Sequence, residues 1–245
     1  MKKTLWLVWQ NVNTRLFYHV GTLSYYENQY HFQYTYESKH QYKINCALKN
    51  GYLLHPMFPI LKKEYTSPSL FGAFKRRLPS EKRVDFKEIL ADLKLSKSYT
   101  EMDLLERTRG KLASDEYSFE KPLLIKNGVL TTSFFISGMY YLELPDNWVN
   151  TIIIGEDLLL RPEPQNPVDK DAIGIYTERG LQLGYVPRFY TTSLGILMKN
   201  QLKPKVIVTY INALKSSSWW IQVNFECDIS FLDEENLNKI DVIFQ

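Results

Sequence analysis

Two carboxylates stand two residues apart in a proline-containing loop, and such a pair can hold a cation. Asp169 and Asp171 lie in the segment 166–171, which reads NPVDKD. A calcium-binding loop supplies a full set of oxygen ligands in sequence, and this segment lacks that set. Asn and Asp side chains also accept hydrogen bonds from the backbone of their own turn. The pattern therefore favours a turn held by Asn166 and Asp169 over a metal site.

The other residue types that carry catalysis or bind cofactors are not clustered in the sequence. None of the four histidines stands at HxxxH or HExxH spacing, which is typical of zinc sites. Cys46 and Cys227 form no CxxC pair. The closest two glycines, Gly180 and Gly184, do not make a phosphate-binding loop. We therefore expect a binding protein that is not an enzyme and needs no cofactor or metal.

Length and charge favour two modules with different partners. The chain has 245 residues, enough for two ordinary domains, and 44% of them are apolar. Residues 1–129 carry 21 Lys or Arg against 13 Asp or Glu, a net charge of +8. Residues 130–245 carry 9 against 14, a net charge of −5. Opposite signs in the two halves are typical of modules that bind different surfaces.

The compartment expected from the sequence is the cytoplasm. The apolar run Leu5–Trp9 imitates the core of a signal peptide but is too short for one. No stretch approaches the ~18 apolar residues of a membrane span. Two distant cysteines fit a reducing environment better than a disulfide framework.

Hydrophobic periodicity predicts an α+β protein with strands and helices before about residue 115 and a β-rich domain with one helix after about residue 128. Aromatic residues alternate with polar ones from Tyr30 to Tyr36, which is typical of a strand with one buried face. We expect domains at residues 1–120 and 129–232, followed by a tail at 233–245. The remaining elements that the pattern predicts are helices at Ser67–Leu78, Val84–Leu95, Thr100–Leu105 and Thr192–Asn200, strands at Phe134–Leu144, Thr151–Ile154, Leu158–Leu160 and Trp219–Phe231, and a hairpin at Ile173–Tyr185.

Several short motifs occur in order in residues 158–188, which read LLLRPEPQNPVDKDAIGIYTERGLQLGYVPR. They comprise a strand, an E-P-x-N-P-x-D loop, an A-I-x-I strand, a turn, and a G-Y-V-P-R exit into a helix. This order resembles the HIRAN domain, and the resemblance extends over about residues 132–230. It implies a small OB-like β-barrel, which in the best-known eukaryotic members binds single-stranded DNA at a free 3′ end.

The resemblance also implies which residues would bind nucleic acid. Tyr140 and Tyr141 would stack on a base, Asp169 would accept a hydrogen bond from a terminal sugar hydroxyl with Asn166 nearby, and Arg188 would reach a phosphate. The complete set is Tyr140, Tyr141, Asn166, Asp169, Lys170, Tyr185 and Arg188. Met139 stands where the DNA-binding members carry a basic residue, and this half is net acidic. Strand packing of the tyrosine pair and a purely structural loop are therefore the alternative.

A second resemblance concerns the N-terminal half. The motifs VGTLSY at 20–25, YHFQY at 30–34, FKRRLPS at 74–80 and DLL at 103–105 are similar to the N-terminal subdomain of the HipA toxin kinases, over about residues 4–118. The kinase body is absent, as in the HipS antitoxins. The resemblance implies a HipA/HipT-like kinase as partner and, in the complete system, a helix-turn-helix HipB-like protein.

Basic residues in the N-terminal half could bind such a partner. They are Lys75, Arg76, Arg77, Lys82 and Arg83, and their alternative role is that of solvated helix ends. Taken together, the sequence predicts an antitoxin or accessory subunit that holds a kinase through the N-terminal module and single-stranded DNA through the HIRAN-like domain. The alternative is a DNA 3′-end-binding protein of phage defence or repair without an antitoxin role.

Overall fold

The computed structural model describes residues 2–36, 43–96, 98–113 and 115–244. The chain divides into two compact units, Met1–Lys121 and Pro122–Gln245. Each unit is built on antiparallel sheet with few helices, so the predicted α+β class is confirmed. Within the described ranges, no helix combines the length and the hydrophobicity needed to cross a lipid bilayer.

The N-terminal unit contains one five-stranded antiparallel sheet in the order β4-β3-β2-β1-β5. Its strands are β1 (Lys3–Gln10), β2 (Phe17–Tyr26), β3 (Gln29–Tyr34), β4 (Tyr65–Ser67) and β5 (Tyr117–Glu120). The aromatic alternation in β3 behaves as predicted, because Tyr30, Phe32 and Tyr34 are buried in the core. Around them, aromatic rings pack edge to face, an arrangement that aromatic side chains prefer.

The described part of this unit also contains the short helices α1 (Ile44–Lys49), α2 (Gly72–Lys75), α3 (Phe86–Asp92) and α4 (Glu101–Thr108). The capping box predicted at Thr100 is present, since Thr100 and Asp103 bond each other's backbone N–H. The helix predicted from Ser67 is wrong at its start, because Ser67 pairs with Tyr30 as the end of β4. Pairing across the sheet outweighed the local Ser-Pro signal there.

In its described residues, the C-terminal unit contains two sheets, two α-helices and short 3-10 turns. The five-stranded sheet has the order β11-β12-β7-β6-β13, and the three-stranded sheet has the order β10-β9-β8. The elements are β6 (Leu124–Lys126), β7 (Val129–Phe135), β8 (Leu158–Pro162), β9 (Ile173–Thr177), β10 (Gln182–Tyr185), α5 (Arg188–Lys199), β11 (Lys205–Ile211), β12 (Ile221–Asp228), α6 (Glu234–Leu237) and β13 (Ile243–Phe244).

Single bridges join the two sheets at both edges. Ser137, just beyond β7, pairs with Tyr185 at the end of β10, and Asp157, just before β8, pairs with Ile207 in β11. In the described residues, these strands form two sheets linked by isolated bridges, so the closed barrel that the resemblance implied is not found. The segment expected as a tail is also part of the fold, because β13 pairs in parallel with β6.

Two predicted strands are loops in the structure. Strand β7 ends at Phe135, because Gly138 adopts a φ of 74° and turns the chain into a short 3-10 helix at Met139–Tyr141. The segment 151–154 is irregular, and it precedes β8. The hairpin is confirmed. The strand predicted at Trp219–Phe231 is confirmed over Ile221–Asp228 as β12, with alternate residues buried. Its first residues differ, because Trp219 belongs to a 3-10 turn.

Candidate nucleic-acid interface

The tyrosine pair points into solvent rather than into the core. The turn at Gly138 buries the Met139 side chain and leaves Tyr140 and Tyr141 72% and 71% exposed. Their ring centroids lie 5.5 Å apart at an interplanar angle of 86°. The alternative that this pair packs within a strand is therefore wrong. Two adjacent exposed rings on a short turn form a surface on which a base can stack.

The loop between β8 and β9 is held by its own side chains, as predicted. Asn166 Oδ1 accepts hydrogen bonds from the backbone N–H groups of Val168 and Asp169, at 3.0 and 3.1 Å. Asp169 Oδ1 accepts one from the backbone N–H of Asp171, at 3.0 Å. These bonds fix the direction of the Asp169 carboxylate, which is the group expected to meet the terminal hydroxyl.

Glu163 supports this loop through hydrogen bonds, a role that the sequence did not predict. Its carboxylate accepts hydrogen bonds from Tyr176 Oη at 2.6 Å, Gln182 Nε2 at 2.9 Å and Asn166 Nδ2 at 3.2 Å. Desolvation and then this bond to Glu163 raise the pKa of Tyr176 to about 12. Gly174 leaves room for the Glu163 carboxylate, because a Cβ at position 174 would collide with Glu163 Oε1. The glutamate of the E-P-x-N-P-x-D motif was the available signal.

Arg188 is engaged within the protein. It is the first residue of α5, and its Nη1 lies 3.0 Å from Asp169 Oδ2. The two side chains are only 15% and 13% exposed. The ion pair holds the guanidinium beside the carboxylate and so helps to fix Asp169. Contact of Arg188 with a phosphate stays a prediction.

Tyr185 brings the separate segments together. Its backbone exchanges hydrogen bonds with that of Ser137 at 2.8 and 2.9 Å. Its ring lies against Gly138, since a Cβ built there would lie 3.0 Å from Tyr185 Cδ2. Its hydroxyl lies 3.4 Å from Asn166 Nδ2. The tyrosine turn and the Asn166–Asp169 loop are thus neighbours through one side chain. Lys170 is exposed beside Asp169.

A further aromatic residue that the sequence did not single out lies at this surface. The 3-10 turn at Ser217–Trp219 contacts the turn at Met139–Tyr141. This contact places Trp219 near the exposed tyrosines. The Trp219-Trp220 pair was a visible signal, but the strand pattern predicted Trp219 as part of β12.

The predicted basic cluster of the N-terminal unit is largely neutralised. Lys75 pairs with Glu101 at 3.1 Å, Arg83 pairs with Asp85 at 2.7 Å, and the buried Arg77 pairs with Asp115. Whether these five residues bind a partner stays a prediction. Arg76 and Lys82 are exposed, and no described residue forms an ion pair with either.

Comparisons with known proteins agree with the prediction for the second half. A sequence model of the HIRAN domain family matches residues 129–231. A crystal structure of a protein from Lactobacillus plantarum is 22% identical, with a TM-score of 0.36, and the match covers 41% of this chain and 97% of that one. The HIRAN domain of human HLTF is 19% identical, with a TM-score of 0.35, and the match covers 46% and 88%. No curated protein sequence matches the chain.

Residues 129–231 therefore form a HIRAN domain, as the motifs in 158–188 predicted. The family match does not extend to the N-terminal unit. The resemblance of that unit to HipA and HipS stays a prediction.

Proposed function

We propose that the HIRAN domain of this protein binds the 3′ end of single-stranded DNA. The observation that carries the proposal is the pair of exposed rings at Tyr140 and Tyr141, joined through Tyr185 to a loop that presents a fixed carboxylate at Asp169. Stacking surfaces suit any unpaired base, whereas a single carboxylate suits a hydroxyl donor.

The carboxylate gives the site its preference for an unblocked end. A terminal 3′-hydroxyl donates a hydrogen bond to Asp169, and a bond to a charged acceptor is stronger than one between neutral groups. A 3′-phosphate would place negative charge beside the same carboxylate, which costs free energy because like charges repel. Arg188 keeps the carboxylate oriented.

Stacking has to supply most of the affinity, because this half of the chain has a net charge of −5. Proteins that rely on phosphate contacts release many counterions and lose affinity steeply with salt. Lys170 is the exposed cation within the loop. We therefore expect specific but moderate binding rather than the tight, nonspecific binding of a strongly basic surface.

Fluorescence anisotropy with end-labelled oligonucleotides tests this proposal. Single strands with a 3′-hydroxyl should bind better than 3′-phosphorylated strands or blunt duplexes. Tyr140→Ala should weaken binding about tenfold, since stacking on one aromatic ring is worth about 1–3 kcal/mol per base. Phe231→Ala is the control, because this ring is also exposed but lies beyond β12. Equal affinity for all three kinds of end would contradict the proposal.

We also propose that the N-terminal unit docks a HipA-like kinase, the partner that its sequence motifs imply. One observation favours a protein partner there: the loop between Tyr52 and β4 exposes the apolar side chains Leu53, Met57 and Ile60. An exposed aliphatic surface is typical of the core of a protein–protein interface and not of a nucleic-acid-binding site.

The loop is held in place, so the apolar side chains are presented by a defined backbone. The Tyr34 hydroxyl donates to the Phe58 carbonyl at 3.0 Å, and the His55 N–H donates to Tyr34 Oη at 3.0 Å. Burial and then the charges of Arg76 and Arg77 lower the pKa of His55 in this loop. An exposed apolar surface on a defined backbone fits a partner surface with apolar residues.

Co-expression with a HipA-like kinase followed by affinity capture tests this second proposal. The pair Leu53→Glu and Ile60→Glu should reduce recovery of the kinase at least about tenfold, because buried unpaired carboxylates oppose association. Val84→Glu is the control, since Val84 is fully exposed but outside the loop. Failure of the unaltered protein to capture the kinase at micromolar concentration would exclude the antitoxin role. The DNA-end activity would then stand alone, as in phage defence or repair.

A further inference from the structure

A second group of aromatic side chains lies on strands β7 and β11 and on the turn at Ser217–Trp219, which contacts the tyrosine turn. Phe135 contacts Trp219 with ring centroids 4.9 Å apart, and Tyr210 with centroids 6.1 Å apart. All three rings are half-buried, so each retains solvent-exposed surface. We call Phe135, Tyr210 and Trp219 the second aromatic group.

A lysine is held above this group. Lys215 Nζ lies 5.7 Å from the centroid of the Tyr210 ring and 5.9 Å from that of Trp219. The loop that carries it is folded back, because Trp220 Nε1 donates to the Lys215 carbonyl at 2.8 Å and the Asn212 N–H donates to the Trp220 carbonyl at 2.8 Å. The Lys215 side chain is nevertheless exposed.

The second aromatic group neighbours the turn that carries Tyr140 and Tyr141. The turn that contains Trp219 contacts the turn that contains Tyr140 and Tyr141. The exposed tyrosines and the rings of Trp219, Phe135 and Tyr210 are thus carried by neighbouring segments of one unit. Interior packing explains the buried edges of these rings. It does not explain an exposed ammonium group fixed over their outer faces.

Resting on the proposed function, we propose that the second aromatic group with Lys215 binds the nucleotides that precede the 3′ terminus. The bases of a single strand stack on the exposed ring faces, and the ammonium group of Lys215 pairs with a backbone phosphate. Rings interleaved with a cation are the combination by which proteins hold single strands without sequence preference. The ligand is then a single-stranded tail several nucleotides long, and not a terminal nucleotide alone.

Binding of oligothymidylates of increasing length tests this inference. With a 3′-hydroxyl in every case, affinity should rise from about two to about six nucleotides and then level off. Lys215→Ala and Tyr210→Leu should each lower the affinity for the longest strand about fivefold or more and leave that for the shortest unchanged. The ratio between 3′-hydroxyl and 3′-phosphate strands should stay the same in both variants. Lys203→Ala, an exposed lysine in the loop before β11, is the control for general charge.

The outcomes separate this inference from the function on which it rests. If the shortest strand binds as tightly as the longest while the 3′-hydroxyl preference persists, only the role of the second aromatic group is overturned. The same holds if Lys215→Ala and Lys203→Ala weaken the longest strand equally. If no strand of any length shows an end preference, the proposed function itself fails.

Discussion

Gly184→Ala is expected to lower the free energy of unfolding of the HIRAN domain by about 3 kcal/mol, from backbone strain and overpacking together. Gly184 has a φ of 151°, which L side chains rarely adopt. A Cβ at this position would lie 2.5 Å from the Ser137 carbonyl oxygen and 2.5 Å from Ile136 Cγ2. The first of these is a backbone atom that takes part in the bridge to Tyr185, so it cannot move without breaking that bridge.

Urea denaturation of the full chain measures this effect. Trp148, Trp219 and Trp220 report on the C-terminal unit, so its transition should shift to lower urea in Gly184→Ala. The control is Gly195→Ala in α5, where nothing lies within 4 Å of the added Cβ. That change should be neutral or stabilise the domain by up to about 1 kcal/mol, because alanine favours helix more than glycine does. An unchanged midpoint in Gly184→Ala would show that the bridge between Ser137 and Tyr185 is not rigid.

Local chemistry made part of the candidate site predictable. The turn at Asn166–Asp169 follows from side chains that bond their own backbone within three residues, and such bonds do not depend on the rest of the fold. The capping box at Thr100 and the alternation in β12 were predictable for the same reason.

Ion pairs between residues far apart in the sequence could not be predicted. The ion pair between Asp169 and Arg188 joins residues on different elements, so the sequence could only present Arg188 as an available cation. The ion pairs of the basic residues in the N-terminal unit could not be predicted for the same reason, because Glu101 and Asp115 approach them only in the folded chain.

One glycine explains the largest local error. Residues 134–144 have the composition of a strand, and periodicity alone extends it through the tyrosine pair. The backbone at Gly138 leaves the extended region instead, which exposes Tyr140 and Tyr141 together rather than on opposite faces of a sheet. A sequence pattern does not show which glycine in an apolar run ends a strand. The resemblance therefore identified Tyr140 and Tyr141 as candidate stacking residues, whereas their exposure on a turn became visible only in the structure.

Asp169→Asn is expected to remove the preference for an unblocked 3′ end. Under the proposed function, Asp169 accepts a hydrogen bond from the terminal hydroxyl and repels a terminal phosphate. The amide keeps an oxygen for the Asp171 N–H but carries no charge, so the repulsion is gone. The guanidinium of Arg188 then faces the site without the Asp169 carboxylate and attracts a phosphate. We expect the affinity ratio of 3′-hydroxyl to 3′-phosphate strands to fall about 100-fold, equivalent to about 2.7 kcal/mol.

Anisotropy titrations of both strands at one low salt concentration measure that ratio, and thermal unfolding confirms that the variant is folded. Glu178→Gln removes the same charge from the exposed turn after β9 and should leave the ratio unchanged. Adding Arg188→Gln to Asp169→Asn should abolish the gain for 3′-phosphate strands, because no cation then replaces the carboxylate. If Asp169→Asn weakens both strands equally, the carboxylate shapes the loop but does not meet the DNA terminus. The proposed role of Asp169 in end recognition would then fail, because stacking on the tyrosine turn does not distinguish a hydroxyl from a phosphate.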